Sequence, residues 1–465
     1  MLNDDPDLFG GLVLFILLVL VGILVVNLTR NHRPTMRFQI KLFLCAFGLR
    51  FLMSAIIYAG GLISVLKDED ASGWVTGSAL YKEWVRKHLD IWDLPSALAA
   101  AFSGQHKGYG YLVGTLFYFT DDPARLPAAV LNCFVGALTV VLVYRIARSL
   151  FSENVAVKTA WLTCVLPSML IWSAQTLKEP NIIFLETVVM YCCVRLKSGF
   201  SVRHIVICAV SIVLVIPFRF YAAYIAGAAV VLSLIMPQFG KKKMGMVQGL
   251  SVAACLALIG FSGVFAQSEN QVERMDLDKV QSFRENISIG SGSGVKSTYD
   301  MKTPAGLGLA TLEGGAYLLL APFPWQLGGG SVRMALTVPE LIVWWWLFFA
   351  GVLPGLWFAI RNRFGDIQPL LFFLFGLGIL YSMMFGNVGL AYRQRAQLLP
   401  WLLIFAMVGL EQRALKKARR KESKQKELAA AEPKSLSRPA PPALPSPQAL
   451  ARPALPPLPR NDLTA

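Results

Sequence analysis

The stretch MLNDDPDLFGGLVLFILLVLVGILVVNLTRNHRPTMRFQIK, residues 1–41, decides the fold. Phe9 to Asn27 is an apolar run of the length that crosses the ~30 Å hydrocarbon layer of a bilayer as a helix. An acidic head precedes it, and Arg30, Arg33, Arg37 and Lys41 follow it. Because Lys and Arg collect on the cytoplasmic side of a span, the N-terminus is expected outside. No basic region precedes the run, so it reads as a retained anchor and not as a cleaved leader.

The rest of the chain repeats this pattern. Of 465 residues, 55% are hydrophobic and only 15% charged, against about 25% charged in soluble domains. That balance excludes a disordered regulator and a secreted disulfide scaffold. Ten further runs of spanning length follow: Leu42 to Leu66, Leu126 to Tyr144, Ala156 to Ser173, Pro180 to Arg195, His204 to Phe218, Phe220 to Met236, Val247 to Ala266, Pro339 to Ile360, Ile367 to Phe385 and Ala396 to Glu411. The expected fold is therefore an all-α polytopic membrane protein of about 11 spans. Each loop that this parity places inside is basic, including Arg145/Arg148/Lys158, Arg195/Lys197/Arg203, Lys241 to Lys243 and Arg361/Arg363.

The same parity forbids Gly108 to Phe119 and Gly306 to Trp325 from crossing, so both are expected as interfacial or re-entrant helices on the outer face. The transmembrane domain is placed at 1–411, with long outer segments at 67–125 and 267–340, and a cytoplasmic tail at 412–465. From Arg413 onward the chain holds twelve basic residues against four acids, half of the net charge of +16. The charge thus belongs to the tail and inner loops, and no nucleic-acid partner is expected. The tail opens RALKKARRKESKQKE, suited to anionic membrane lipid, and ends in a Pro- and Ala-rich low-complexity stretch expected to be disordered. All seven cysteines fall in the runs without metal or redox spacing and read as small apolar packers. The four histidines show no ligand spacing either.

Chemistry is expected outside. KDEDASGWVTGSALYKEW, residues 67–84, concentrates Asp68, Glu69 and Asp70 where a helix leaves the membrane. A partly desolvated carboxylate there has its pKa raised and can take a proton from a hydroxyl. Lys178 and Glu179 form a second outer polar pair, with Pro180 opening the next helix. Arg219 interrupts IPFRFYAAYIAG beside Tyr221 and Tyr224, and Arg393 and Arg395 share GNVGLAYRQRAQLLP; guanidinium groups at a membrane boundary suit phosphate. Arg50 lies deep in the second run and needs a partner or a polar cavity.

These residues carry a resemblance. Asp70-Ala71, Trp74 and Ala79 at the start of the first outer loop resemble the catalytic motif of the GT-C membrane glycosyltransferases, in the group of protein O-mannosyltransferases and lipid A aminoarabinose transferases. ARLPAAVLNCFVGALTVVLVYRIARSLF, PSMLIWSAQTLKEPNIIFLETVVMYCCVRL and GLAYRQRAQLLPWLLIFAMVGLEQR follow in that family's order. The resemblance implies a GT-C-like helix bundle that transfers a sugar, with inversion, from a polyprenyl-phosphate-linked donor to a lipid, glycan or protein acceptor on the extracytoplasmic face. It implies Asp70 as general base, with Asp68 or Glu69 as alternatives. Lys178, Arg219, Tyr221, Arg393 and Arg395 would meet the donor phosphate, and Glu179 would orient substrate. No cofactor follows from the residues, and a need for a divalent cation stays open. A polysaccharide polymerase or ligase and a lipid-linked sugar flippase are the competing expectations. Short loops lean toward a bacterial plasma membrane.

Overall fold

A computed structural model of the chain describes residues 7–29, 33–63, 72–103, 106–236, 277–289, 293–296, 299–329 and 332–431. The regular elements among them are helical; extended backbone pairs only at an isolated bridge between Gly294 and Asn387. In order they are α1 (Leu8–Leu28), α2 (Met36–Ala59), α3 (Ser72–Arg86), α4 (Leu94–Ala99), α5 (Gly108–Thr120), α6 (Arg125–Leu150), α7 (Glu153–Val165), α8 (Pro167–Ser173), α9 (Glu179–Ser198) and α10 (Val202–Ile235). There follow α11 (Leu277–Ile289), α12 (Pro304–Leu320), α13 (Val332–Leu347), a π-helical turn at Phe348–Val352, α14 (Leu353–Met383) and α15 (Val388–Ala431). The chain divides into two units, residues 1–413 and 414–465. In the second, the described part is an exposed basic helix with an i,i+4 pair between Lys426 and Glu422.

Six described helices are long and apolar enough to cross a membrane, seven if α7 and α8, bent by 55° at their junction, count as one. This makes the chain an integral membrane protein. The expected span Val247 to Ala266 lies outside the described residues, and the total of eleven stays an expectation.

Three of the six are far longer than one crossing, and two of these turn back on themselves. The 34 residues of α10 would measure ~51 Å as a straight helix, against ~30 Å of hydrocarbon. Instead the backbone leaves helical geometry at Arg219 (φ −161°, ψ 87°), two residues after Pro217, whose ring removes a helical hydrogen bond. Lys197, at the far end of α9, donates to the Ser233 carbonyl at 3.0 Å. Both ends of α10 therefore lie at one end of the bundle with Arg219 at the other, as the separate runs 204–218 and 220–236 require. The 46-residue stretch Val338–Met383 turns back likewise at Arg363 (φ −141°, ψ 26°), whose guanidinium donates to the Leu150 carbonyl at 2.7 Å.

The break between α7 and α8 explains Arg50. Pro167 has no N–H for the Thr163 carbonyl, and the Ser168 N–H, which would serve Cys164, instead donates to Glu340 Oε2 at 2.7 Å. Arg50, fully buried, donates to both orphaned carbonyls, Thr163 and Cys164, each at 3.4 Å. Glu340 meanwhile receives the free N–H at the start of α8, where the helix dipole favours a carboxylate. One cation and one anion from other helices thus replace the backbone bonds that proline removed.

A layer of short helices lies over the end of the bundle that holds Arg219. α5, at ~20 Å, is too short to cross. It packs on α3 through two glycine pairs at i,i+4 spacing. A Cβ on Gly73 would stand 2.1 Å from the Tyr109 ring, one on Gly77 2.7 Å from Val113, and one on Gly110 2.6 Å from Thr76. Only glycine permits so close an approach. α12 packs along α14, and its last carbonyls, Leu319 and Leu320, accept the indole N–H groups of Trp344 and Trp345 at 2.7 and 2.8 Å.

Replacing Arg50 with Met should lower stability by roughly 1–3 kcal/mol, the cost of a buried carbonyl left without a donor. Since Pro167→Ala returns an N–H to Thr163, the loss should be smaller in that background. Thermal unfolding of the four proteins in detergent checks this; equal losses in both backgrounds would refute the account.

Candidate functional site

The site is built on the turn between α8 and α9. Two helices hold that turn by its backbone. Asn132 of α6, wholly buried, donates from Nδ2 to the carbonyls of Gln175 (2.6 Å) and Leu177 (2.7 Å). Its Oδ1 accepts from Asn181 of α9 at 2.7 Å. Tyr58 of α2 accepts the Thr176 N–H at 3.0 Å. With its polar backbone so engaged, the turn presents Lys178 and Glu179 at the N-terminus of α9 in a fixed geometry.

Glu179 is 0% exposed, and two arginines from distant segments reach it. Arg219 Nη2 lies 3.2 Å from Oε1, and Arg393, from the first turn of α15, places Nε 2.8 Å from Oε1 and Nη2 2.9 Å from Oε2. The Arg393 contact joins one charge-assisted hydrogen bond, from Nη2, to an ion-pair approach of Nε to the other carboxylate oxygen. Arg219 also donates to the Tyr381 hydroxyl at 2.9 Å. Behind it, Gln397 in the amide orientation that satisfies its neighbours donates to Glu186 Oε1 at 3.1 Å and accepts from Arg219. The rings of Tyr221 and Tyr381 flank the Arg219 guanidinium at 5.7 and 5.8 Å.

Beside this cluster opens a cavity of about 180 Å³. Thr176, Leu177, Lys178 and Arg393 form its floor, and Gly73, Thr76, His106, Tyr109 and Gly110 from the α3–α5 layer form its roof. Burial, and then the charge of Arg219, hold the Lys178 ammonium down at about 8 against the opposing pull of Glu179. His106 Nδ1 lies 2.9 Å from the Phe218 carbonyl. Partial burial of the imidazole, followed by the charge of Lys178, pushes it down to about 4, the Phe218 bond acting the other way. At neutral pH the cavity is lined by cations, hydroxyls and one neutral imidazole.

Of the residues singled out from the sequence, the structure gathers Lys178, Glu179, Arg219, Tyr221 and Arg393 in one place. Arg395 stands apart: it donates to the Leu319 and Ala321 carbonyls at 3.2 and 2.9 Å and stacks 4.6 Å from the Tyr392 ring. Its donors tie α15 to the end of α12. Asp68, Glu69 and Asp70 lie outside the described residues; in sequence, Asp70 precedes the cavity-lining Gly73 by three positions. Sequence reasoning passed over Asn132, Tyr58, Tyr381, Gln397 and the placement of His106. The signal for Asn132 was present, a lone amide in an apolar helix. Among the described residues no cluster of His, Cys, Asp and Glu could hold a metal ion.

With this geometry in hand, the comparisons take their place. The class is a polytopic helical membrane protein with a basic site at one end of its bundle. More particularly, residues 111–266, about a third of the chain, match the family model described as dolichyl-phosphate-mannose-protein mannosyltransferase. The resemblance to GT-C glycosyltransferases read from the sequence is borne out over that segment. Among solved structures, the chain is similar to the Archaeoglobus fulgidus oligosaccharyltransferase in the apo form, at 15% identity and a TM-score of 0.42, over 81% of this chain and 52% of that one. It is also similar to the oligosaccharyltransferase AglB of the same organism in complex with an inhibitory peptide and a dolichol-phosphate, at 16% identity and a TM-score of 0.38, over 66% and 43%. The chain thus spans about half the length of these structures or less, and likeness this loose supports no residue-by-residue correspondence. No curated protein matches the chain.

Removing the carboxylate by Glu179→Ala leaves Arg219 and Arg393 facing each other without it, which should cost about 3–5 kcal/mol, as for other broken buried ion pairs. Glu179→Asp should cost less. Resistance to proteolysis in detergent is the measurement; a Glu179→Ala protein as resistant as the wild type would contradict this.

Proposed function

We propose that the protein transfers a sugar from a polyprenyl-phosphate-linked donor to a hydroxyl of a lipid, glycan or protein acceptor on the extracytoplasmic face of the membrane. The observation that carries this reading is the gathering of Lys178, Arg219 and Arg393 at Glu179, beside a cavity that adjoins the Asp68–Asp70 segment in sequence. Three cations against Glu179 leave excess positive charge where water is scarce, a setting that favours an anionic ligand. The face follows from the positive-inside distribution of the loops.

In the proposed reaction Asp70 takes the proton of the acceptor hydroxyl. The oxygen then attacks the anomeric carbon from the side opposite the phosphate, and the bond from that carbon to the phosphate oxygen breaks. The electron pair leaves with the phosphate, which passes from a singly charged diester to a doubly charged monoester. Lys178 and Arg393 oppose that developing charge at the cavity floor, so their stabilisation is greatest where the barrier lies. Glu179 keeps the guanidinium groups aimed, and inversion follows from the single displacement. Arg395 has no part in the phosphate site in this reading.

The purified full-length protein, incubated with polyprenyl-phosphate hexose extracts and candidate acceptors, should form a covalent product by mass spectrometry, and Asp70→Asn should form none while remaining inserted. Full activity of Asp70→Asn would refute the base assignment. Movement of labelled lipid-linked sugar across reconstituted vesicles without any covalent product would favour a flippase instead.

The Lys178 ammonium also makes phosphate binding pH-dependent. Its charge is present below about pH 8 and lost above it, so donor affinity should fall as pH rises from 7 to 9. Lys178→Arg, which stays charged, should bind evenly across that range, as a titration with methyl phosphate would show.

A further inference from the structure

His106 is a titratable cavity residue whose chemistry the phosphate reading leaves unused. It sits just before α5 with φ +59°, a left-handed conformation that non-glycine residues adopt sparingly. A carbonyl oxygen can only accept, so the 2.9 Å contact with Phe218 requires the proton on Nδ1. That contact fixes the tautomer and leaves Nε2 with a lone pair. Burial of the ring first, then the charge of Lys178 on the cavity floor and of Arg219, disfavour a second proton; Glu179 is turned toward the two arginines.

The cavity thus carries, along with the Lys178 and Arg393 donors that suit an anion, an imidazole with one acceptor nitrogen. A phosphate diester has no O–H of its own to give that acceptor. A polyhydroxylated ring esterified to the phosphate does, because its hydroxyls are donors within one sugar's width of the phosphorus. We infer that His106 Nε2 accepts a hydrogen bond from a hydroxyl of the donor sugar, and so is a positioning and specificity residue that fixes the ring over the phosphate site. This rests on the phosphate reading above and adds the group that distinguishes a glycosyl phosphate from any other phosphate ester. Phe218 takes part by holding the tautomer: its carbonyl lies at the reversal of α10, one residue from Arg219, so the segment that sets Arg219 against Glu179 also sets the imidazole.

The test compares binding of methyl phosphate with that of the α-1-phosphates of glucose, galactose and mannose to the full-length protein in detergent. At least one hexose 1-phosphate should bind about five- to tenfold tighter than methyl phosphate, the worth of one neutral hydrogen bond. His106→Phe should erase that advantage while leaving methyl phosphate affinity unchanged, and His106→Gln, whose amide offers both a donor and an acceptor, should recover part of it. In the wild type, the Nε2 nitrogen resonance should shift with the preferred hexose 1-phosphate and stay in place with methyl phosphate. That second measurement decides the matter even where a variant fails to fold. An advantage that survives in His106→Phe, or an Nε2 resonance indifferent to the sugar, overturns the inference while the phosphate site stands. Failure of the wild type to bind methyl phosphate overturns the phosphate reading itself, and this inference with it.

Discussion

Inside a bilayer no water stands ready to bond a freed peptide group, so a helix can be broken there only where other side chains take over its hydrogen bonds. The junction of α7 and α8 is such a place. Arg50 supplies the donors that Pro167 and the diverted Ser168 N–H withhold, and Glu340 supplies the acceptor. Because the break is fully served, α8 can leave the axis of α7 and bring its end to the turn that Asn132 and Tyr58 hold. The position of Lys178 descends from that substitution of side chain for backbone.

The site follows the same logic with charges in place of peptide groups. A carboxylate as buried as Glu179 survives only with partners in excellent geometry, and the partners come from two chain reversals, at Arg219 and just ahead of Arg393. Arg219 in turn is held by Tyr381 and by Gln397, whose amide N–H is bonded to Glu186. Orientation is thereby built into the protein before any ligand arrives, which is the condition under which fixed charges lower a barrier most.

Much of the architecture was legible in the sequence because membrane helices announce themselves by length and by the side on which Lys and Arg gather. The runs 204–218 and 220–236 were separable because Arg219 interrupts them, and Arg219 proved to be the point of reversal. Lys178, Glu179, Arg219 and Arg393 could be picked out as polar residues at one boundary, yet nothing in one sequence says which cation meets which anion. Arg395 shows the limit: two residues from Arg393 and alike in every sequence property, it faces another way around the helix and serves the carbonyls of α12. The roof of the cavity was hidden for a different reason, since the glycine pairs Gly73/Gly77 and Gly110/Gly114 matter by what they lack.

Those glycines divide the cavity into parts of different origin. Its floor is anchored in spanning helices, where a change disturbs hydrogen bonds that water cannot replace. Its roof is a local pair of helices joined backbone to backbone along one seam. A larger residue at Gly77 or Gly114 would wedge the pair apart and widen the opening without altering any group that contacts a ligand. Over evolutionary time such a seam is an adjustable aperture: the molecules admitted can change while the charges waiting below them stay the same.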